Sequence, residues 1–237
     1  GKALEWFKKA AAKGNADAIF SVGYMYDYGE GTKEDNPTAL KWYTQAAQKG
    51  QLYAQYYLGF LYLYGDDGVS INTKKGLEWM TKSADAGLDL AQAELGHLYS
   101  DGNDEVAQDL KKALHYYQLA VKQDESSAIN NLGIFYLEGK AGLKQDYKEA
   151  LRLFTLASKA ENGLGSSNIA YVYEEGKGVE KNYKKAAEYY ALAVEQGENE
   201  ALLDLARLYE NGGFGLAKNL KKSKEYEAQW DELQKTE

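Results

Sequence analysis

The 237-residue sequence has no cysteine, one proline and two histidines. Without cysteine there is no disulfide, no thiolate nucleophile and no cysteine-based zinc site. One proline leaves few helix breakers. No apolar run approaches the ~18–20 residues of a membrane span. The longest, Tyr56 to Tyr64, is nearly half tyrosine. No basic start followed by an apolar stretch marks a signal peptide, and the chain opens on Gly1, which reads as a trimmed or mature form. The only Asn-x-Thr triplet, at Asn36, is blocked by Pro37. Lys plus Arg is 28 and Asp plus Glu is 36, a net charge of −8. That balance weighs against nucleic acid and membrane as partners, because both favour a basic surface. What the chain has in excess is tyrosine, 21 of them.

The tyrosines expose a repeat. The word Leu-Gly-x-x-Tyr-x-x-Gly reads Val22-Gly23, Tyr26, Gly29, then Leu58-Gly59, Tyr62, Gly65. It returns at Leu95-Gly96, Tyr99, Gly102 and at Leu132-Gly133, Tyr136, Gly139. Looser copies follow at Ile169-Ala170, Tyr173, Gly176 and Leu205-Ala206, Tyr209, Gly212. The tyrosines step by 36, 37, 37, 37 and 36 residues. A second word, Ala-x-x-x-aromatic-x-x-Ala, follows: Ala39, Tyr43, Ala46; Ala113, Tyr117, Ala120; Ala150, Phe154, Ala157; Ala186, Tyr190, Ala193. Gly76, Met80 and Ser83 are a degenerate copy, and Ala3, Phe7 and Ala10 an extra one at the start.

Both words have helical spacing, with offsets of 3, 4 and 7 placing their residues on one face. Small residues in that face let a neighbouring helix come close. The glycine after each tyrosine (29, 65, 102, 139, 176, 212) suits the position just past a helix, where φ is positive. Asn72, Asp109, Asp146, Asn182 and Asn219 read as N-caps of the second helix, and Asp146 with Glu149 resembles a capping box. Pro37 falls in a first helical turn, where a missing N–H is harmless.

Each repeat is thus an antiparallel pair, helix A then helix B, and stacked pairs share a continuous core. The expected division is a leading helix B in 1–14, repeats at 15–50, 51–87, 88–124, 125–161 and 162–197, and a last repeat with a capping helix in 198–237. That makes about 13 helices in one all-α solenoid. Glu227 stands where the last second-word aromatic belongs, as a polar terminal cap requires.

These words resemble the Sel-1-like repeat family, a branch of the tetratricopeptide superfamily. The match is clearest at Ala54 to Gly65, Ala128 to Gly139 and Ala39 to Gly50. The resemblance implies a right-handed α-superhelix with helices A on its concave side. It implies a non-catalytic adaptor or scaffold, a monomer that binds another protein or peptide. An immunity protein neutralising one toxic effector and an architectural envelope protein stay open as alternatives. The expected setting is bacterial, periplasmic or exported ahead of cytoplasmic. At the fourth-to-fifth junction the sequence departs from the pattern: Glu161 replaces Gly, Gly165 replaces Ala, and Asn162-Gly163 intervenes. These departures bear on the regularity of the superhelix at that point.

Nothing in the residue spacing marks a catalytic residue, a metal site or a cofactor. Asp101-Gly102-Asn103-Asp104-Glu105 is acidic, but Val106 and Lys112 stand where a calcium loop needs Gly and Glu. Gly139-Lys140 and Gly176-Lys177 echo the end of a phosphate loop without its first glycine, and read as helix ends.

By analogy with tetratricopeptide folds, four positions per helix A face the concave side. They are Phe20, Tyr24, Asp27 and Tyr28 in repeat 1, and Tyr56, Phe60, Leu63 and Tyr64 in repeat 2, joined by Tyr53. Repeat 3 places His97 there, repeat 5 Glu174 and Glu175, and repeat 6 Arg207 and Glu210. The expected partner-binding set is Phe20, Tyr24, Tyr28, Tyr53, Tyr56, Phe60, Tyr64 and His97, with an acidic zone toward the C-terminus favouring a basic segment in the partner. The competing reading is that these rings pack between helices.

Overall fold

The computed structural model describes residues 2–66 and 68–235. Gly1 and residues 236 and 237, which the expected repeat boundaries include, lie outside the described residues. Thirteen α-helices are found among them. They form two compact units, 1–123 and 124–237. The N-terminal unit opens with α1 (Lys2–Ala11) and continues with the pairs α2 (Ala16–Asp27) and α3 (Asn36–Gln48), α4 (Leu52–Tyr64) and α5 (Thr73–Asp85), and α6 (Asp89–Asp101) and α7 (Leu110–Val121). The C-terminal unit holds α8 (Ser126–Glu138) and α9 (Tyr147–Lys159), α10 (Gly163–Glu175) and α11 (Tyr183–Glu195), and α12 (Ala201–Asn211) and α13 (Leu220–Leu233). Within each unit every helix packs on the next in sequence. The all-α, stacked-pair reading of the sequence holds.

The small residues of both words are the core. Ala39, Ala46, Ala54, Ala91, Ala113, Ala128, Ala150 and Ala186 are fully buried, with Leu58, Leu95, Tyr43 and Phe154 between them. A Cβ at Gly23, Gly96 or Gly133 would lie 2.8, 2.5 and 2.6 Å from the rings of Tyr43, Tyr117 and Phe154. In these three repeats the second-word ring therefore rests directly on the first-word glycine.

The loop within each pair closes the same way six times. The main-chain N–H of Asp35, Asn72, Asp109, Asp146, Asn182 and Asn219 donates to the carbonyl of the repeat tyrosine before it, at 2.7–2.9 Å. The same six side chains then accept the N–H three residues on, at 2.9–3.1 Å. Between them the six glycines take φ of 65 to 73°. Gly139 and Gly176 are thus helix ends, as read. The Asp146 capping box is only half made. The Glu149 carboxylate turns outward and accepts from Arg152 Nε and Nη2 at 2.9 and 2.7 Å, because the Asp146 N–H already serves Tyr136. Asp146→Ala should lower the stability of the C-terminal unit by ~1 kcal/mol, measured by urea denaturation.

The fourth-to-fifth junction keeps the regular packing despite its departures from the repeat pattern. Glu161 itself adopts φ 59°, as does Asp124 one repeat earlier, where other repeats use Gly14, Gly50, Gly87 and Gly197. Asn162 caps α10 by accepting from the Gly165 N–H at 3.0 Å. Gly165 lets α10 approach α9 closely, since a Cβ there would meet Ser158 N at 2.8 Å.

Candidate functional site

The N-terminal unit carries a continuous ladder of rings on α2 and α4. Phe20 and Tyr24 of α2 and Tyr28, its C-cap residue, are spaced by four, so they stack along one face. Tyr24 and Tyr28 have centroids 4.4 Å apart. On α4, Tyr56 and Phe60 stand 6.3 Å apart and Phe60 and Tyr64 4.6 Å apart. Phe20 bridges the helices, reaching Tyr53 at 6.0 Å and Tyr57 at 5.7 Å. Beneath lies the buried Tyr43 of α3, 5.6 Å from Phe20 and 5.4 Å from Tyr57.

The two readings of these rings divide the ladder between them. Phe20, Tyr24 and Tyr56 are half-buried and pack on the core. Tyr28, Tyr53, Phe60 and Tyr64 are 55%, 45%, 39% and 44% exposed. Their hydroxyls are engaged in part: Tyr64 donates to Glu94, and Tyr28 is hydrogen-bonded to Tyr57. His97 belongs to α6, its ring edge-on to the buried Tyr117 at 5.7 Å. Sequence reasoning missed Tyr57. It lies one residue before the repeat leucine, a position not assigned to the face, yet its ring joins both halves of the ladder.

Beside the ladder a cavity of about 490 Å³ opens, lined by Asp27, Tyr28, Glu34, Tyr56, Tyr57, Phe60, Leu61, Asp66 and Leu90. Asp27 accepts the Tyr43 hydroxyl at 2.9 Å. Burial, and then the nearby Asp66 and Glu34 charges, raise its carboxyl pKa despite that bond. Burial and the Asp27 carboxylate hold the Tyr43 phenol far above its usual range.

The C-terminal unit contains the same carboxylate–phenol pair in another state. Glu174 accepts the Tyr190 hydroxyl at 3.0 Å, across the same 16-residue separation as Asp27 and Tyr43. Here Arg207 of α12 forks onto both Glu174 oxygens, with Nη2 at 3.0 Å from Oε2, and also donates to Asp204 at 2.7 Å. Burial, the largest influence on Glu174, pushes its pKa up, but Arg207, Tyr190 and Lys181 outweigh it and hold the pKa below the usual range. Glu174 is only 5% exposed, so the acidic zone expected toward the C-terminus loses this member to the interior.

Elsewhere the repeat tyrosines act structurally. Tyr99, Tyr173 and Tyr209 stack on Tyr116, Tyr189 and Tyr226 at 5.9–6.1 Å. Lys112, Lys185 and Lys222 cover their outer faces at 4.7–4.8 Å. Among the described residues no three His, Asp or Glu come together as a metal site, and no helix is long and apolar enough to cross a membrane.

The comparisons agree with this architecture. The Sel1 repeat family model matches residues 1–15, 16–51, 52–88, 89–125, 126–162, 158–198 and 199–226. No curated protein matches the chain. A Sel1 repeat protein from Oxalobacter formigenes superposes with a TM-score of 0.83 at 28% identity, over 91% of this chain and 85% of that one. A protective antigen of uropathogenic Escherichia coli with the same fold gives 0.57 at 28% identity, over 97% of this chain and 56% of that one. An immunity protein from Pseudomonas aeruginosa gives 0.60 at 21% identity, over 92% and 81%, a likeness of fold alone. Helix pairs, repeat words and sequence match agree, and the chain belongs to the Sel1 repeat family.

Proposed function

We propose that this chain is a non-catalytic scaffold that binds a protein or peptide through the aromatic face of α2 and α4. Sel1 repeat proteins are in general scaffolds of this kind. The observation that carries the reading is the row of exposed rings, Tyr28, Tyr53, Phe60 and Tyr64, on a rigid layer of packed ones. A stack of helix pairs needs the inner rings for its core; nothing in its packing needs the outer ones in water. Exposed aromatics on a preformed surface are the usual anchors of protein interfaces.

Affinity capture from the source cell's lysate tests this, comparing the native chain with Tyr28→Ala/Tyr53→Ala. These positions suit the test better than Tyr24 or Tyr56, which also hold the core. The double variant should lose a captured partner by ~2 kcal/mol or more, roughly thirtyfold in affinity, while thermal melting shows only a modest drop. Equal capture by both proteins would sink the reading. One stoichiometric toxic enzyme among the captured proteins would mark an inhibitor, the role that a likeness to immunity proteins suggests. Several partners would mark an adaptor, and cell-wall fragments an architectural role.

A further inference from the structure

We propose that the cavity beside Asp27 receives an arginine side chain of the bound protein, its guanidinium docking on the Asp27 carboxylate between tyrosine rings. This rests on the protein-binding reading above and adds the chemistry of one contact.

The chain supplies its own template. The repeat tyrosines Tyr26 and Tyr62 are 36 residues apart, as are Tyr173 and Tyr209, so the first and second repeats overlay the fifth and sixth without a gap. In the later pair, Arg207 reaches Glu174 across 33 residues. Counting the same 33 from Asp27 gives 27 + 33 = 60, and position 60 is phenylalanine. Asp204, which takes the other side of the Arg207 fork, corresponds to Tyr57 (27 + 30). The carboxylate and its phenol are therefore kept in the first repeat, while the residues that complete an ion pair in the sixth are rings in the second. Where the guanidinium lies in the C-terminal unit, the cavity lined by Tyr57 and Phe60 opens in the N-terminal one.

The surroundings suit that cation. Glu34 and Asp66 line the cavity with Asp27 and provide further negative charge, the part Asp204 plays for Arg207. No cation pairs with Asp27 among the described residues, and burial, followed by the Asp66 and Glu34 charges, raises its pKa despite the Tyr43 hydrogen bond. An incoming positive charge relieves that repulsion. The three carboxylates do not converge as a metal site, whereas a planar guanidinium can span spaced acceptors. Tyrosine faces add cation–π attraction, which this chain already uses under Lys112, Lys185 and Lys222. Arginine is also an enriched anchor residue of protein interfaces.

The test is an NMR titration of the full chain with Nα-acetyl-arginine amide, and with the uncharged isostere Nα-acetyl-citrulline amide. The arginine compound should give saturable shifts centred on Asp27, Tyr57 and Phe60, with binding about tenfold tighter than citrulline and weakened by salt. Two variants should abolish it. Asp27→Asn removes the acceptor, and Phe60→Arg places the chain's own guanidinium on Asp27 as Arg207 does on Glu174. Circular dichroism checks that both fold, and either alone decides the matter. No saturable shift in the native chain, equal binding of citrulline, or binding retained by a folded variant would overturn the proposal. The two readings fail separately. If the arginine compound does not bind but a captured partner still needs Tyr28 and Tyr53, the cavity assignment falls and the aromatic face stands. If arginine binds but capture ignores those rings, the reverse holds.

Discussion

Leucine in place of Gly59 is expected to lower the stability of the N-terminal unit by about 3 kcal/mol or more, at or beyond the top of the usual overpacking range. The reason lies in how α4 crosses α5. In repeats 1, 3 and 4 the first-word glycine faces an aromatic ring. In repeat 2 that ring is replaced by Met80 and the facing alanine by Gly76, and the two helices meet backbone to backbone. A Cβ on Gly59 would lie 2.9 Å from Met80 N and 3.1 Å from the Gly76 carbonyl, and one on Gly76 2.9 Å from Leu63 N. A crowded side chain can rotate aside; these main-chain atoms can yield only by moving a helix. Gly50→Ala is the control. Nothing lies within 4 Å of its Cβ position, so only the positive φ of 84° is penalised, by about 1 kcal/mol. Thermal melting by far-UV circular dichroism compares them. Gly59→Leu should fall by roughly 10 °C or more and Gly50→Ala by clearly less. Equal midpoints for Gly59→Leu and the native chain would refute this crossing geometry.

That contrast shows which parts of the molecule were legible in the sequence. Helix positions, the B-helix caps and the close glycine contacts follow a period of 36–37 residues, and each rests on chemistry within one helix or loop. Conformation at 124 and 161 was not legible. Asp and Glu adopt there the positive φ that glycine favours, because the helices on both sides fix the turn. Exposure on the α2–α4 face was only half legible. Spacing puts Tyr24 and Tyr28 on one side of α2, but burial depends on what the next repeat brings over them. Tyr57, 33 residues after Tyr24, packs edge-on against it but only hydrogen-bonds Tyr28, whose ring stays 55% exposed. The Glu174–Arg207 pair escaped a reading of single helices for the same reason, and becomes visible once the repeats are laid in register.

In register, the position of Glu174 covaries with the second-word residue packed near it. Leu63 goes with Met80 and Leu137 with Phe154, apolar with apolar, whereas Asp27 goes with Tyr43 and Glu174 with Tyr190. In these four repeats the carboxylate and the phenol are exchanged together, while the third has Ser100 and Tyr117 at the two positions. Arg207→Met should therefore destabilise the C-terminal unit at neutral pH by stranding a buried carboxylate. Stranding a fully buried charge costs ~3–5 kcal/mol, but the Arg207 side chain is 46% exposed, so we expect about 2 kcal/mol. Glu174 has a folded pKa below its unfolded value, so its contribution is present above the ordinary carboxylate range and is lost as pH falls through the depressed folded value. Without Arg207, burial dominates and the folded pKa rises, as it does for Asp27, so the sign reverses: acid favours the folded variant and rising pH destabilises it. Urea denaturation from pH 3 to 8 should show the gap between native and variant closing toward acid and widest at neutral pH. A gap independent of pH would mean that Arg207 acts by packing alone. Glu174→Leu/Tyr190→Phe/Arg207→Met, which gives the fifth repeat the apolar pairing of the fourth, should recover most of the loss and flatten the pH dependence, since the buried charge and its hydrogen-bonding partner leave together.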